Sequence, residues 1–225
     1  MSAADKIIKF YNNLQPPKNL PGGIEVLFPQ EHAGVKKIIK TFYSKYYSSN
    51  KKRGLLFGIN PGRFGAGITG INFTAPKQLT EYCNIENRFK QSSELSAEFI
   101  YEMIAAYGGP SKFYGNWYIA PVCPLGFVKD GKNINYYDDK DLIKTVSPFI
   151  ISSIVAQLEI GFATNTCYCI GEDKNYKFLS GLNEKYKWFK KITPLPHPRF
   201  IMQYKRKEKE KYIRQYIDVL LTEQA

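Results

Sequence analysis

The sequence predicts an α/β protein: a three-layer α/β/α sandwich around a central, mainly parallel four-stranded sheet. Three observations predict it. Short apolar runs alternate along the chain with segments of helical periodicity. The first run is apolar on both faces, as in a strand covered by helices on each side. The 225 residues contain no internal repeat and no low-complexity tract, so residues 1–225 form one domain, long enough to bury a full core.

The elements follow in order. Ile7, Ile8, Phe10, Tyr11 and Leu14 have helical spacing within residues 4–15, and Pro16, Pro17, Pro21, Gly22 and Gly23 then break the chain. A short apolar stretch runs from Ile24 to Phe28. A second helix spans about His32 to Tyr47, so residues 1–50 form an N-terminal helical extension. The first central strand is 54–59. It empties into Asn60-Pro61-Gly62-Arg63-Phe64-Gly65-Ala66-Gly67. Thr74 is placed to cap a helix that has Pro76 in its first turn. A longer helix covers 92–107, and the second strand is 117–120. Gly131-Lys132-Asn133 forms a polar turn. Residues 138–161 read mostly as helix, interrupted near Pro148. The third strand is 166–170, with a helix opening near Asp173. The fourth strand is 188–192. The last helix shows a stripe of Tyr212, Ile213, Tyr216, Ile217, Leu220 and Leu221.

Lys and Arg number 32 against 20 Asp and Glu, a formal net charge of +12. Such an excess makes a polyanion such as nucleic acid a plausible partner. Seven basic residues and no acid lie between Gly34 and Arg53: Lys36, Lys37, Lys40, Lys45, Lys51, Lys52 and Arg53. Their pattern fits an anion-facing surface better than a merely solvated helix face. The content is 44% hydrophobic and 15% aromatic, which excludes a disordered chain. No apolar run is long enough to predict a membrane span, and the N-terminus has no apolar signal core.

Cys83, Cys123, Cys167 and Cys169 contain no C-x-x-C pair, so they read as buried structural thiols and not as a cluster. Two histidines, His32 and His197, are too few for a histidine-rich zinc site. No metal and no organic cofactor is expected. The thiols point to a reducing compartment, and a cytoplasmic monomer is expected.

In an open parallel sheet, ligands bind beyond the carboxyl ends of the strands. Three of those ends carry unusual residues: Asn60-Pro61-Gly62, Pro121-Val122-Cys123-Pro124-Leu125 and Pro196-His197-Pro198-Arg199. The glycines do not spell a dinucleotide fingerprint, and there is no G-K-[ST], which excludes a P-loop. Pro196 and Pro198 fix the backbone on either side of His197 and so hold an imidazole at a set angle.

Gly58-Ile59-Asn60-Pro61-Gly62-Arg63-Phe64-Gly65, with Thr69-Gly70 and Phe73, resembles the first motif of the uracil-DNA glycosylase superfamily. The branch it most resembles is the single-strand-selective monofunctional (SMUG-type) group. Cys123-Pro124-Leu125 with Gly131-Lys132-Asn133 resembles that group's middle segment, and His197-Pro198 with Arg199 resembles its second motif, H-P-S-P-R. The likeness covers about residues 50–205.

The resemblance implies a monofunctional DNA glycosylase that flips a base from the stack and hydrolyses its bond to the sugar. Asn60 and His197 would be catalytic, Asn60 orienting the water and His197 donating to uracil O2. Gly62, Phe64 and Phe73 would bind the base, with Phe73 stacked on it. An ordinary packing role remains open for Phe64, and a hydrophobic staple is the other reading of Phe73. Arg63, Arg199, Phe200, Lys205 and Arg206 would contact DNA. The segment 200–202 would supply apolar wedges, although Phe200, Ile201 and Met202 could equally pack inward at the start of the last helix.

Two positions depart from the pattern. The family's base-reading Asn falls here on Pro121, and the Ser of the second motif is missing. Three functions therefore compete: a glycosylase acting on uracil or a related damaged base, a nucleic-acid-binding protein with the same fold that does not cut, and an enzyme acting on a small nucleotide or nucleoside.

Overall fold

The computed structural model describes residues 1–92 and 94–222. In chain order the elements are α1 (Ala3–Asn12), β1 (Ile24–Leu27), α2 (Ala33–Tyr46), β2 (Gly54–Gly58), α3 (Ala66–Thr69), α4 (Pro76–Glu81), α5 (Leu95–Ala106), α6 (Pro110–Asn116), β3 (Trp117–Pro121), β4 (Gly126–Lys129), β5 (Lys132–Ile134), α7 (Lys140–Leu158), β6 (Thr166–Ile170), α8 (Lys174–Tyr186), β7 (Lys191–Leu195), α9 (Pro198–Tyr204) and α10 (Lys209–Thr222). Short 3-10 turns sit at Pro29–Glu31 and Arg206–Glu208.

The central sheet is parallel throughout, in the order β3-β2-β6-β7. Leu55, Leu56 and Phe57 are all buried although they alternate faces, so both faces of β2 are covered. The chain leaves β2 for β3 on one side and later returns to β6 on the other. That reversal opens a crevice at the carboxyl end of β2.

A second sheet, β1-β4-β5, is antiparallel and was not expected from the sequence. Of the residues read as a polar turn at 131–133, Gly131 does lie in a turn, whereas Lys132 and Asn133 begin β5. Lys129 pairs with Lys132 across the two-residue turn Asp130-Gly131, both at positive φ (50° and 69°). Asp-Gly between apolar runs is the sequence signature of such a hairpin.

Residues 1–50 hold β1 as well as two helices. The inward faces of α1 and α2 belong to the same core as the central sheet. Tyr11 stacks on Tyr43 at 5.6 Å, and Tyr43 lies 6.2 Å from Tyr118 of β3.

Four local expectations are corrected. Helix α7 runs unbroken through Pro148. Pro148 and Lys144 are both exposed, so the carbonyl that Pro148 cannot pair faces water. By length and composition α7 is also long and apolar enough to cross a membrane, although no span is expected from the sequence. Here its inner stripe, Leu142, Val146, Ile150 and Ile154, packs into the core. The fourth strand begins at Lys191 and not at Trp188. Asn183 of α8 ties down both backbone groups of Phe189, at 2.8 and 3.0 Å, and holds that segment as a loop. The residue preceding α4 is Ala75, and Thr74 gives no cap. Its hydroxyl donates instead to the Asn72 carbonyl at 3.0 Å.

The basic block before β2 is not a uniform anion-facing surface. Arg53 is buried, with its guanidinium donating to the carbonyls of Tyr114, Lys51, Ser49 and Tyr46 and lying over the Tyr47 ring. Lys45 donates to the Cys83 carbonyl, and Lys51 to Asn116 Oδ1. Lys36, Lys37, Lys40 and Lys52 are exposed.

Candidate active site

All four parallel strands deliver residues to one cavity of about 530 Å³, a size that suits a small ligand or a single base. β2 supplies Gly58 to Gly62, β3 supplies Pro121, the segment after β6 supplies Gly171 to Asn175, and β7 leads to His197 and Arg199. The strand ends read from the sequence do converge. The third strand end belongs with them although no motif marked it.

Asn60 leaves β2 and is half-buried. Its Oδ1 accepts the Tyr136 backbone N–H at 3.2 Å, and its Nδ2 donates to the carbonyls of Ile134 and Pro61, both at 3.4 Å. The chain just after β5 therefore sets the orientation of this carboxamide. One lone pair of Oδ1 remains to direct a water.

His197 caps α9. The Arg199 backbone N–H donates to Nδ1 at 3.1 Å. In the neutral ring the proton is then on Nε2, which makes that nitrogen a donor. Burial lowers the imidazole pKa to about 4, and the nearby Arg199 charge adds to the effect. The turn that carries His197 is anchored from behind, because the buried Tyr216 hydroxyl donates to the Pro196 carbonyl.

Phe73 lies across the cavity, with its ring 6.1 Å from that of His197. It has φ 51°, a left-handed conformation unusual for an aromatic residue. Three bonds around Thr74 hold this turn. The Thr74 N–H donates to the Ile71 carbonyl, its hydroxyl to the Asn72 carbonyl, and the Thr69 hydroxyl to the Thr74 carbonyl at 2.6 Å. Backbone strain at a site-lining aromatic, locked by buried hydroxyls, fits a role in presenting the ring and not in stapling a helix.

The glycine loop is shaped by close approach. A Cβ on Gly62 or Gly65 would come within 2.5 or 2.3 Å of the Glu94 carboxylate. Glu94 lines the cavity, and burial raises its pKa against the opposing pull of Arg199. It stands one residue before α5, and nothing in the sequence marked it. Asn72, Asn133, Asn135, Tyr137 and Asp138 also line the cavity unforeseen.

The other expected residues divide. Gly62, Arg199 and Phe200 line the cavity, and Phe200 is 45% exposed beside Tyr204. Ile201 and Met202 point into the core at 0% and 3% exposure, so of the three wedge candidates only Phe200 is outside. Phe64 does not line the cavity; it is 49% exposed, with the Arg63 guanidinium 4.6 Å from its ring. Arg63 itself bonds to the Gly131 carbonyl, and Lys205 pairs with Glu208 at 3.2 Å. Arg206 is exposed, and none of these three basic residues lines the cavity. Pro121 presents no side-chain donor to the cavity. Asn116 lies at the opposite end of β3, bonded to Lys51.

All four thiols are free and buried, and burial pushes Cys123 and Cys169 up to about 12. Among the described residues no group of three or more His, Cys, Asp or Glu side chains is placed to hold a metal ion.

Comparison with known proteins identifies the family and the fold. The model of the uracil DNA glycosylase superfamily matches residues 44–221. The crystal structure of wild-type SMUG2 from Pedobacter heparinus superposes with a TM-score of 0.95 at 49% sequence identity, over 99% of this chain and 98% of that one. No curated protein matches.

Proposed function

Because the chain belongs to the uracil DNA glycosylase superfamily, we propose that it is a monofunctional DNA glycosylase. It hydrolyses the bond between the sugar and uracil, or a related damaged base, turned out of the DNA stack. One observation carries the reading. Asn60 and His197 line the same cavity, and in each a backbone N–H fixes which atom faces outward.

The chemistry follows from those atoms. The C1′–N bond breaks, its electron pair leaves with the base, and the sugar becomes oxocarbenium-like. His197 Nε2–H donates to the base oxygen on which negative charge grows. A neutral imidazole serves, since donation without proton transfer stabilises the anion. Asn60 directs a water to C1′. Water oxygen bonds to C1′, and one water hydrogen ends on the released base. An amide cannot accept that proton, so leaving-group stabilisation carries more of the rate. Phe73 stacks on the base, and Phe200 enters the gap that the base leaves.

The test is release of base from labelled single strands carrying uracil, hypoxanthine, xanthine or oxidised pyrimidines, followed by alkali. Cleavage at a damaged base is expected, with Asn60→Ala and His197→Ala both impaired. Equal cleavage by parent and variants overturns the mechanism. Pro121 favours a second reading, a binding protein that does not cut. Salt-dependent binding with no release of any base identifies it.

A further inference from the structure

Pro121 leaves the edge of the bound base without its expected reader. This inference rests on the cavity being a base pocket. Asn72 lines that cavity one residue before Phe73 and is half-buried. Its Nδ2 donates to the Ile119 carbonyl on β3 at 3.0 Å and to the Tyr11 hydroxyl at 3.3 Å. Both amide hydrogens therefore turn into the protein. A planar carboxamide held by its hydrogens presents its oxygen on the opposite edge.

We propose that Asn72 Oδ1 is the base-reading acceptor of this site. It selects nucleobases that carry a ring N–H beside a carbonyl, such as N3–H of uracil. A base with a bare ring nitrogen at that position, such as cytosine, would set acceptor against acceptor and leave both unpaired, which is the stronger discrimination.

The orientation is set from far away in sequence. Tyr11 belongs to α1, is itself buried, and lies 3.4 Å from the Tyr43 hydroxyl of α2. Ile119 is two residues before Pro121. The N-terminal helix thus helps decide which atom of Asn72 faces the base. The same turn fixes Asn72 and Phe73 together, so the ring that stacks and the oxygen that reads are placed by one local structure.

The experiment measures binding of the full chain to single strands built with 2′-fluoroarabino nucleotides, whose glycosidic bond resists hydrolysis. The strands carry uracil, cytosine or an abasic analogue at one position. The parent is expected to bind the uracil strand about tenfold more tightly than the cytosine strand. Asn72→Ala should lose that preference and keep the parent's affinity for the abasic strand, with the melting temperature lowered by no more than the loss of the bonds to Ile119 and Tyr11 explains. Asn72→Ser, too short to reach the base, should behave alike and serves if the alanine variant fails to fold. An unchanged uracil preference in the variants, a parallel loss of abasic binding, or no preference in the parent overturns the proposal. A parent that prefers uracil but releases no base from ordinary strands carrying uracil, hypoxanthine, xanthine or oxidised pyrimidines refutes the glycosylase reading and leaves Asn72 as the reader. Cleavage with selectivity indifferent to Asn72 does the reverse.

Discussion

The backbone N–H of Arg199 donates to Nδ1 of His197 at 3.1 Å, so the first turn of α9 fixes the tautomer of the imidazole facing the cavity. Protonating Nδ1 would break this bond as well as place a charge in a partly buried site beside Arg199. The folded pKa of about 4 lies below the ordinary 6.5, so folding favours the neutral ring. The associated stability is present above pH 6.5 and is lost as pH falls through 4. It amounts to at most about 3 kcal/mol. Base release should show no inflection near pH 6.5. Denaturant midpoints at pH 4 and 7 should differ less in His197→Gln than in the parent. An inflection at 6.5, or equal acid sensitivity, contradicts this assignment.

Asn60 is held by a backbone donor that any acceptor at the same place would satisfy. Asn60→Asp should keep the Tyr136 contact while losing the two long bonds to the Ile134 and Pro61 carbonyls, and should retain base release at neutral pH because a carboxylate can both place the water and accept its proton. Asn60→Ala, with nothing to place the water, should lose about 100-fold or more in kcat/KM with little change in melting temperature. Comparable rates for Ala and Asp would show that the oriented acceptor is unimportant.

Gly58 lies under the Phe73 ring, and a Cβ there would approach ring Cε2 to 2.6 Å. Gly58→Ala should push the ring from its position and lower kcat/KM about tenfold, because a stacking face moves without leaving. Phe73→Leu should reduce activity with little change in melting temperature, since the ring it removes borders a cavity. Full activity in Gly58→Ala would mean that the ring does not stack on the base.

Phe200 and Ile201 are neighbours with opposite surroundings, at 45% and 0% exposure. Ile201→Ala should cost about 2–5 kcal/mol of stability by opening a core cavity. Phe200→Ala should leave the melting temperature within a degree or two and weaken base release most in duplex DNA, where a gap must be filled. Thermal denaturation and paired single-strand and duplex assays separate the two. A large drop in melting temperature for Phe200→Ala would place that ring in the core.

Much of the site was legible because its chemistry is local. The apolar run 54–59 can only be a covered strand, and the Asn60 and His197 loops follow strands whose ends must converge in a parallel sheet. Asp130-Gly131 also carries a hairpin signal, and the turn lies one residue earlier than Gly131-Lys132-Asn133 suggests. Glu94 carried no signal, because its importance comes from glycines about 30 residues away that leave room for it.

By itself the sequence determined the alternation of strands and helices and the residues offered at each strand end. These depend on spacing, backbone restriction and side-chain type within a few residues. Only the tertiary structure decided that Arg53 is a buried clamp, that Phe200 faces out while Ile201 faces in, and that the hydrogens of Asn72 point to Tyr11 and Ile119. Burial and hydrogen-bond orientation belong to pairs of groups. When the partner lies 47 or 61 residues away, as for Asn72, packing of whole elements determines which pair forms.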